Sequence, residues 1–149
     1  MTPVEGTSPL AIEKVRWMWG QVGADVVDMG VTHHDEVLAA TSHLPHMLAY
    51  TLVDTLARMD ESEEIFQYAA GGFRDFTRIA SSDPVMWRDI SMANRECLLS
   101  VINLFRKDLD VLVEIIENND GKALREIFGR AKKARDRFSQ QVRGPLSEE

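Results

Sequence analysis

Apolar positions recur with a helical period along most of this chain. Ser8-Pro9 places a helix N-cap before a proline at the first helical position, and Leu10, Val15, Trp17, Met18 and Val22 predict a helix ending at Gly20 or Gly23. Ala24 to Met29 lies between Gly23 and Gly30 and carries two adjacent valines, which predicts a short strand. A helix followed by a strand is half of an α/β unit and cannot build a sheet alone, so residues 1–30 read as the tail end of something larger.

Beyond residue 30 the pattern is helical throughout. With Thr32 as N-cap, a helix is expected to run to about Met59, with Leu44, Leu48, Leu52 and Leu56 every four residues. Pro45 falls inside it and must kink it or free the carbonyl of Thr41. Short helices are expected over Ser62–Ala69 and Phe73–Ala80, on either side of Gly71-Gly72. Ser82-Asp83-Pro84 then opens a helix expected to continue to Glu117, roughly 50 Å long at 1.5 Å per residue. Leu98, Val101, Phe105, Leu109, Leu112 and Ile116 form one stripe on it. Cys97, Leu104, Val111 and Ile115 form a second beside the first. An apolar face that wide needs cover on two sides, which points to a second copy of the chain. After Asn118-Asn119-Asp120-Gly121 a last helix, Lys122 to about Gln141, buries Leu124, Ile127, Phe128, Ala131 and Phe138.

Composition narrows the class. The 149 residues suit a single domain able to fold without a disulfide, and Cys97 is the one cysteine, which fits a reducing compartment. No run approaches the ~20 apolar residues of a membrane span and no signal peptide opens the chain, so a cytoplasmic protein is expected. The net charge is −7, which argues against nucleic acid or anionic lipid as a partner. Residues 121–143 dissent, with eight basic residues against Glu126 and Asp136. That segment is either a solvated helix face or, in an alternative reading, the surface of a helical nucleic-acid-binding dimer, which would want aromatics interleaved on the basic face.

Three clusters could carry chemistry. All four histidines (His33, His34, His43 and His46) fall within fourteen residues of one expected helix. Metal binding is disfavoured because neither His-Glu-x-x-His nor Glu-x-x-His occurs; His33 reads as exposed, and His46, near Ser42 and Tyr50, as a buried hydrogen-bonding residue. In Phe73-Arg74-Asp75-Phe76-Thr77-Arg78, Asp75 and Arg78 sit at i, i+3, either as a surface ion pair or as a carboxylate holding a guanidinium fork for a substrate carboxylate. Asp83-Pro84-Val85-Met86-Trp87 puts a large aromatic one turn into the long helix, as core, as interface or as pocket lining. Neither Gly-x-Gly-x-x-Gly nor Gly-x-x-x-x-Gly-Lys is present, so no dinucleotide or nucleoside triphosphate site can be placed on the chain.

At Ser42-His43-Leu44-Pro45-His46, Gly71-Gly72-Phe73-Arg74-Asp75-Phe76-Thr77-Arg78-Ile79-Ala80 and Ser82-Asp83-Pro84-Val85-Met86-Trp87-Arg88-Asp89-Ile90, the sequence resembles the C-terminal helical domain of prephenate dehydrogenases. The resemblance covers about Val31 to Ile116 and implies a mainly α domain with a long central helix. Residues 1–30 would then be a helix-strand remnant of the family's nucleotide-binding domain, 31–143 the helical dimerisation and substrate domain, and 144–149 a tail. The family oxidatively decarboxylates prephenate or arogenate, passing a hydride to NAD or NADP, in tyrosine biosynthesis. It dimerises through this domain, and its substrate lies between the two domains.

By motif position, the resemblance implies that Arg78 grips the ring carboxylate, Ser42 and His46 line the pocket, and Asp75 orients Arg78. Gly71, Met86 and Trp87 would come from the partner subunit, with His43 as packing or support. Tyrosine is implied as an inhibitor. The dinucleotide half and the catalytic histidine would lie before Met1, so the chain alone is expected to bind no cofactor and to be inactive. A fusion of the parent to another aromatic-pathway enzyme, and a free-standing dimeric aromatic-acid-binding or regulatory module, remain open alternatives.

Overall fold

The structure, a computed structural model, describes residues 1–143, with side chains through residue 139; the expected tail 144–149 lies outside the described residues. The chain divides into two units, Met1–Ile102 and Asn103–Glu149.

In the first unit, α1 (Pro9–Gln21) starts at Ser8-Pro9 as expected and stops where Gly23 takes φ +79°, a left-handed conformation open to glycine. The expected strand over 24–29 needs correction. The segment is extended, but among the described residues no strand forms. It makes a two-bond bridge instead, with the Met1 amino group donating to the Val27 carbonyl and the Met29 N–H donating to the Met1 carbonyl at 3.1 Å. The Arg16 side chain donates to the Val26 carbonyl and pairs with Asp28, so α1 and the extended segment are clipped together. Bonds to the residues on either side of Asp28 follow the parallel pattern, and a single such bridge is too little for a sheet.

Helix α2 (Val31–Leu38) begins one residue earlier than expected. Gly30 is its N-cap, and Thr32 lies inside the first turn. The helical path continues through a π-helical turn (Ala39–His43) into α3 (Leu44–Ala57). In that turn the Leu44 N–H reaches back five residues to Ala39, just before Pro45. Proline offers no N–H and its ring crowds the carbonyl four residues earlier, so a widened turn relieves the clash that was expected to kink the helix.

The two short helices are α4 (Ser62–Gln67) and α5 (Gly71–Thr77); a 3₁₀ turn (Arg78–Ser81) replaces the end of the second expected helix. The Tyr50 hydroxyl on α3 donates to the Ser82 carbonyl at 2.6 Å. Asp83 then caps α6 (Pro84–Ala93), its carboxylate accepting from the N–H groups of Val85 and Met86 at 2.7 and 3.1 Å.

The helix expected to run unbroken from Pro84 to Glu117 is two helices. Asn94, at φ −105° and ψ 37°, separates α6 from α7 (Arg95–Glu117). Asparagine is a weak helix former, and here its side chain is drawn off to partners on α2 and the π turn. The buried hydrophobic residues of this unit are Ala39, Ala49, Trp87 and Leu98, joined by the polar His43 and Asn94.

The second unit holds the rest of α7 and α8 (Gly121–Arg143). Asn119 turns the chain with φ +53°, and the Asp120 carboxylate accepts from the Ala123 N–H at 2.9 Å to cap α8. Phe105, Leu109, Leu112, Ile127 and Phe128 line an open apolar groove of about 400 Å³ between the two helices. Leu104, Val111 and Ile116 stay exposed on α7, Leu104 at 61%.

Candidate functional site

Two imidazoles and one indole make the centre of the first unit. Trp87, one turn into α6, is 7% exposed. His46 on α3 stacks on it with ring centroids 3.6 Å apart and planes at 22°. His43, from the π turn, meets the same indole edge-on at 6.1 Å and 76°. The three-residue offset between the histidines, together with the widened turn, is what lets both rings reach one indole. The Trp87 N–H is buried without a hydrogen-bond partner, a cost the stacking must offset.

Hydrogen bonds orient both imidazoles. His46 Nδ1 lies 2.9 Å from the Ser42 carbonyl; a carbonyl only accepts, so Nδ1 carries hydrogen and Nε2 of the neutral ring offers a lone pair. His43 Nδ1 lies 3.2 Å from the side-chain nitrogen of the buried Asn94. Burial holds the His43 pKa below its ordinary 6.5; Asp35 pulls it up, and His46 and His34 push it further down.

The remaining expected site residues are more exposed. Ser42 and His46 are half-buried, whereas Arg78, Asp75 and Gly71 lie at the surface. Arg78 opens the 3₁₀ turn, which packs against α3 and so brings it to the helix that bears His46. The expected Asp75–Arg78 ion pair is absent among the described residues. The two residues belong to different elements, α5 and the 3₁₀ turn, and both side chains are exposed to solvent, where an ion pair gains little. Met86 is half exposed beside the buried Trp87, one position further round α6. Trp87, expected from a second copy, packs here against its own chain's His43 and His46.

His34 is hydrogen-bonded to Asp35 at 2.9 Å, and His33 is exposed. Among the described residues no three His, Cys, Asp or Glu side chains are placed to hold a metal ion. Among the described residues no helix is long and apolar enough to cross a membrane. Asn94 is the member of the cluster that motif spacing does not select. A weak helix former amid a strong apolar stripe was its one signal in the sequence.

An exposed guanidinium unpaired among the described residues is available to a carboxylate, and a neutral imidazole with a free Nε2 accepts from a hydroxyl.

Comparison with known proteins bears on this arrangement. Residues 31–130 match the family model for the prephenate dehydrogenase dimerization domain. The chain is 40% identical to cyclohexadienyl dehydrogenase of Zymomonas mobilis over 91% of its own length and 47% of that protein. It is 34% identical to prephenate dehydrogenase of Bacillus subtilis over 98% of its length and 40% of that protein. Among solved structures it superposes on A. aeolicus prephenate dehydrogenase in complex with hydroxyphenyl propionate and NAD+, with a TM-score of 0.82 and 41% identity over 92% of this chain and 48% of that one. It also superposes on Synechocystis arogenate dehydrogenase, with a TM-score of 0.77 and 26% identity over 92% of this chain and 50% of that one. The chain thus spans about half the length of the relatives it matches. On this evidence the chain belongs to the prephenate dehydrogenase family and carries that family's helical dimerization domain.

Proposed function

We propose that this chain supplies the dimer interface and part of the substrate site of an oxidoreductase that oxidatively decarboxylates prephenate or arogenate with NAD or NADP. The observation that carries this reading is the match of residues 31–130 to the dimerization domain, which includes the His46–Trp87 cluster and Arg78. Arg78 binds a substrate carboxylate, Ser42 and His46 line the pocket, and Trp87 supports His46 from below. Gly71 and Met86, both exposed, face the second copy. Residues 1–30 belong with the nucleotide-binding half, a reading supported by the parallel bridge of Met1 to Val27 and Met29 around α1.

The residues of this chain do not fit a dinucleotide. It contains no glycine-rich turn of the kind that cradles a pyrophosphate, so no step through NAD is assigned to it. Its own residues bind and orient substrate and join two copies.

A fluorescence titration tests the substrate site. In a Trp17→Phe/Trp19→Phe variant, Trp87 is the remaining tryptophan, and hydroxyphenyl propionate or prephenate is expected to change its emission saturably, with the change lost in Arg78→Ala. No saturable change with either ligand would overturn the placement of Arg78, His46 and Trp87 in a substrate site.

A further inference from the structure

Asn94 is one of two buried polar residues in the first unit, at 8% exposure, and its backbone is already satisfied. Its N–H donates to the Ile90 carbonyl and its carbonyl accepts from the Leu98 N–H, both at 3.0 Å. Neither backbone group calls on the side chain, which is free to reach across to α2 and the π turn. Its nitrogen lies 2.8 Å from the Asp35 carbonyl, a pure acceptor, so the NH₂ end must face that way. The same nitrogen lies 3.2 Å from His43 Nδ1, where its second hydrogen can be received only by a lone pair. The His43 proton must then sit on Nε2. His46 is the opposite case, with its proton on Nδ1 facing the Ser42 carbonyl. Two imidazoles in opposite tautomers thus flank one indole.

We propose that Asn94 is a positioning residue that holds His43 as the Nε2–H tautomer and, through the edge contact with Trp87, keeps His46 stacked with its Nε2 lone pair open to a ligand hydroxyl. The proposal rests on the preceding functional reading only for the use of that lone pair. The groups facing His43 agree with a neutral ring. Burial opposes a second proton most; Asp35 on α2 favours one; His46 on α3 and His34 on α2 oppose it. Trp87 on α6 and Asn94 at the break are uncharged.

Long-range ¹H–¹⁵N correlation of the imidazoles in the full chain near neutral pH tests this directly. The expected result is a bare Nδ1 and a protonated Nε2 on His43, with the reverse on His46. Asn94→Asp puts an acceptor where the donor was, so the His43 proton should move to Nδ1 and the ring should gain its second proton at higher pH than in wild type. Wild-type His43 protonated on Nδ1 would overturn the proposal whatever the variants do. Retention of the Nε2–H signature in a folded Asn94→Asp would do the same. Should Asn94→Asp not fold, Asn94→Ala removes both donors without adding charge. A mixture of His43 tautomers then supports the role, and an unchanged pure tautomer overturns it. Binding of hydroxyphenyl propionate separates this idea from the functional reading: a wild type that does not bind defeats the substrate site and leaves the tautomer result standing. Where wild type binds, Asn94→Ala should bind about tenfold more weakly, and equal affinity would end the positioning role.

Discussion

His46 lies nearly flat on Trp87, with centroids 3.6 Å apart, although the two residues are forty-one positions apart in the chain. The contact joins α3 to α6, while the Tyr50 hydroxyl fastens the same two regions through the Ser82 carbonyl. Because Trp87 is the largest buried side chain, it is also the point at which the fold of the first unit is most vulnerable.

Trp87→Ala should therefore cost about 3–5 kcal/mol of stability, the usual range for emptying a buried aromatic site. Trp87→Phe should cost less than half as much, since it keeps a ring against His46 and removes the unpaired N–H. Urea titration at one fixed chain concentration measures both. A loss below about 1 kcal/mol for Trp87→Ala would show that the indole is not the keystone of this unit.

Acid should destabilise the chain through His43. Its pKa is lowered in the folded state, so the unfolded chain takes the proton first as pH falls through 6.5. The full contribution is present above that value. It declines below 6.5 and levels off once pH drops below the folded-state value. Comparing unfolding at about pH 7.5 and about pH 5.5, the wild type should lose more stability than His43→Gln, whose side chain does not titrate. Equal losses would mean that His43 is no harder to charge when folded.

Leu104 and Val111 on α7 are exposed in the single chain, so charging them should leave its own fold intact. Leu104→Glu combined with Val111→Glu is expected to give a folded monomer where the wild type sediments as a dimer at micromolar concentration. A wild-type monomer, or a variant that still dimerises, would remove this face of α7 from the interface.

Arg78→Lys keeps the charge and loses the planar fork, so binding of a carboxylate ligand should weaken roughly ten- to hundredfold, with Arg78→Ala weaker still. With no ion pair between Asp75 and Arg78, Asp75→Asn should leave stability within about 0.5 kcal/mol of wild type. Titration calorimetry and thermal unfolding give the two readouts. Unchanged binding in Arg78→Ala would return this residue to the solvated surface.

Helix starts and stops were legible in the chain because their causes are local. Ser8-Pro9, Asp83-Pro84 and Asn119-Asp120 act within a turn of their own position, and the structure places α1, α6 and α8 where those signals stand. The motifs around His46, Arg78 and Trp87 likewise pointed to the family that residues 31–130 match. Interior details were less accessible. Pro45 announced a disturbance but not its form, since a kink and a π turn both relieve the same clash and the packing of His43 and Ala39 selects between them.

What the sequence determined by itself, then, was a helical chain with its boundaries, its apolar stripes and its family, because caps, periodicity and motif spacing are short-range properties. Only the tertiary structure decided that the helix after Pro84 breaks at Asn94 and that Arg78 stands apart from Asp75. It also decided that two histidines share one indole. Each of these depends on a partner far along the chain. The Asn94 amide reaches the Asp35 carbonyl and the His43 ring, fifty-nine and fifty-one positions away, and no local propensity records partners at that distance.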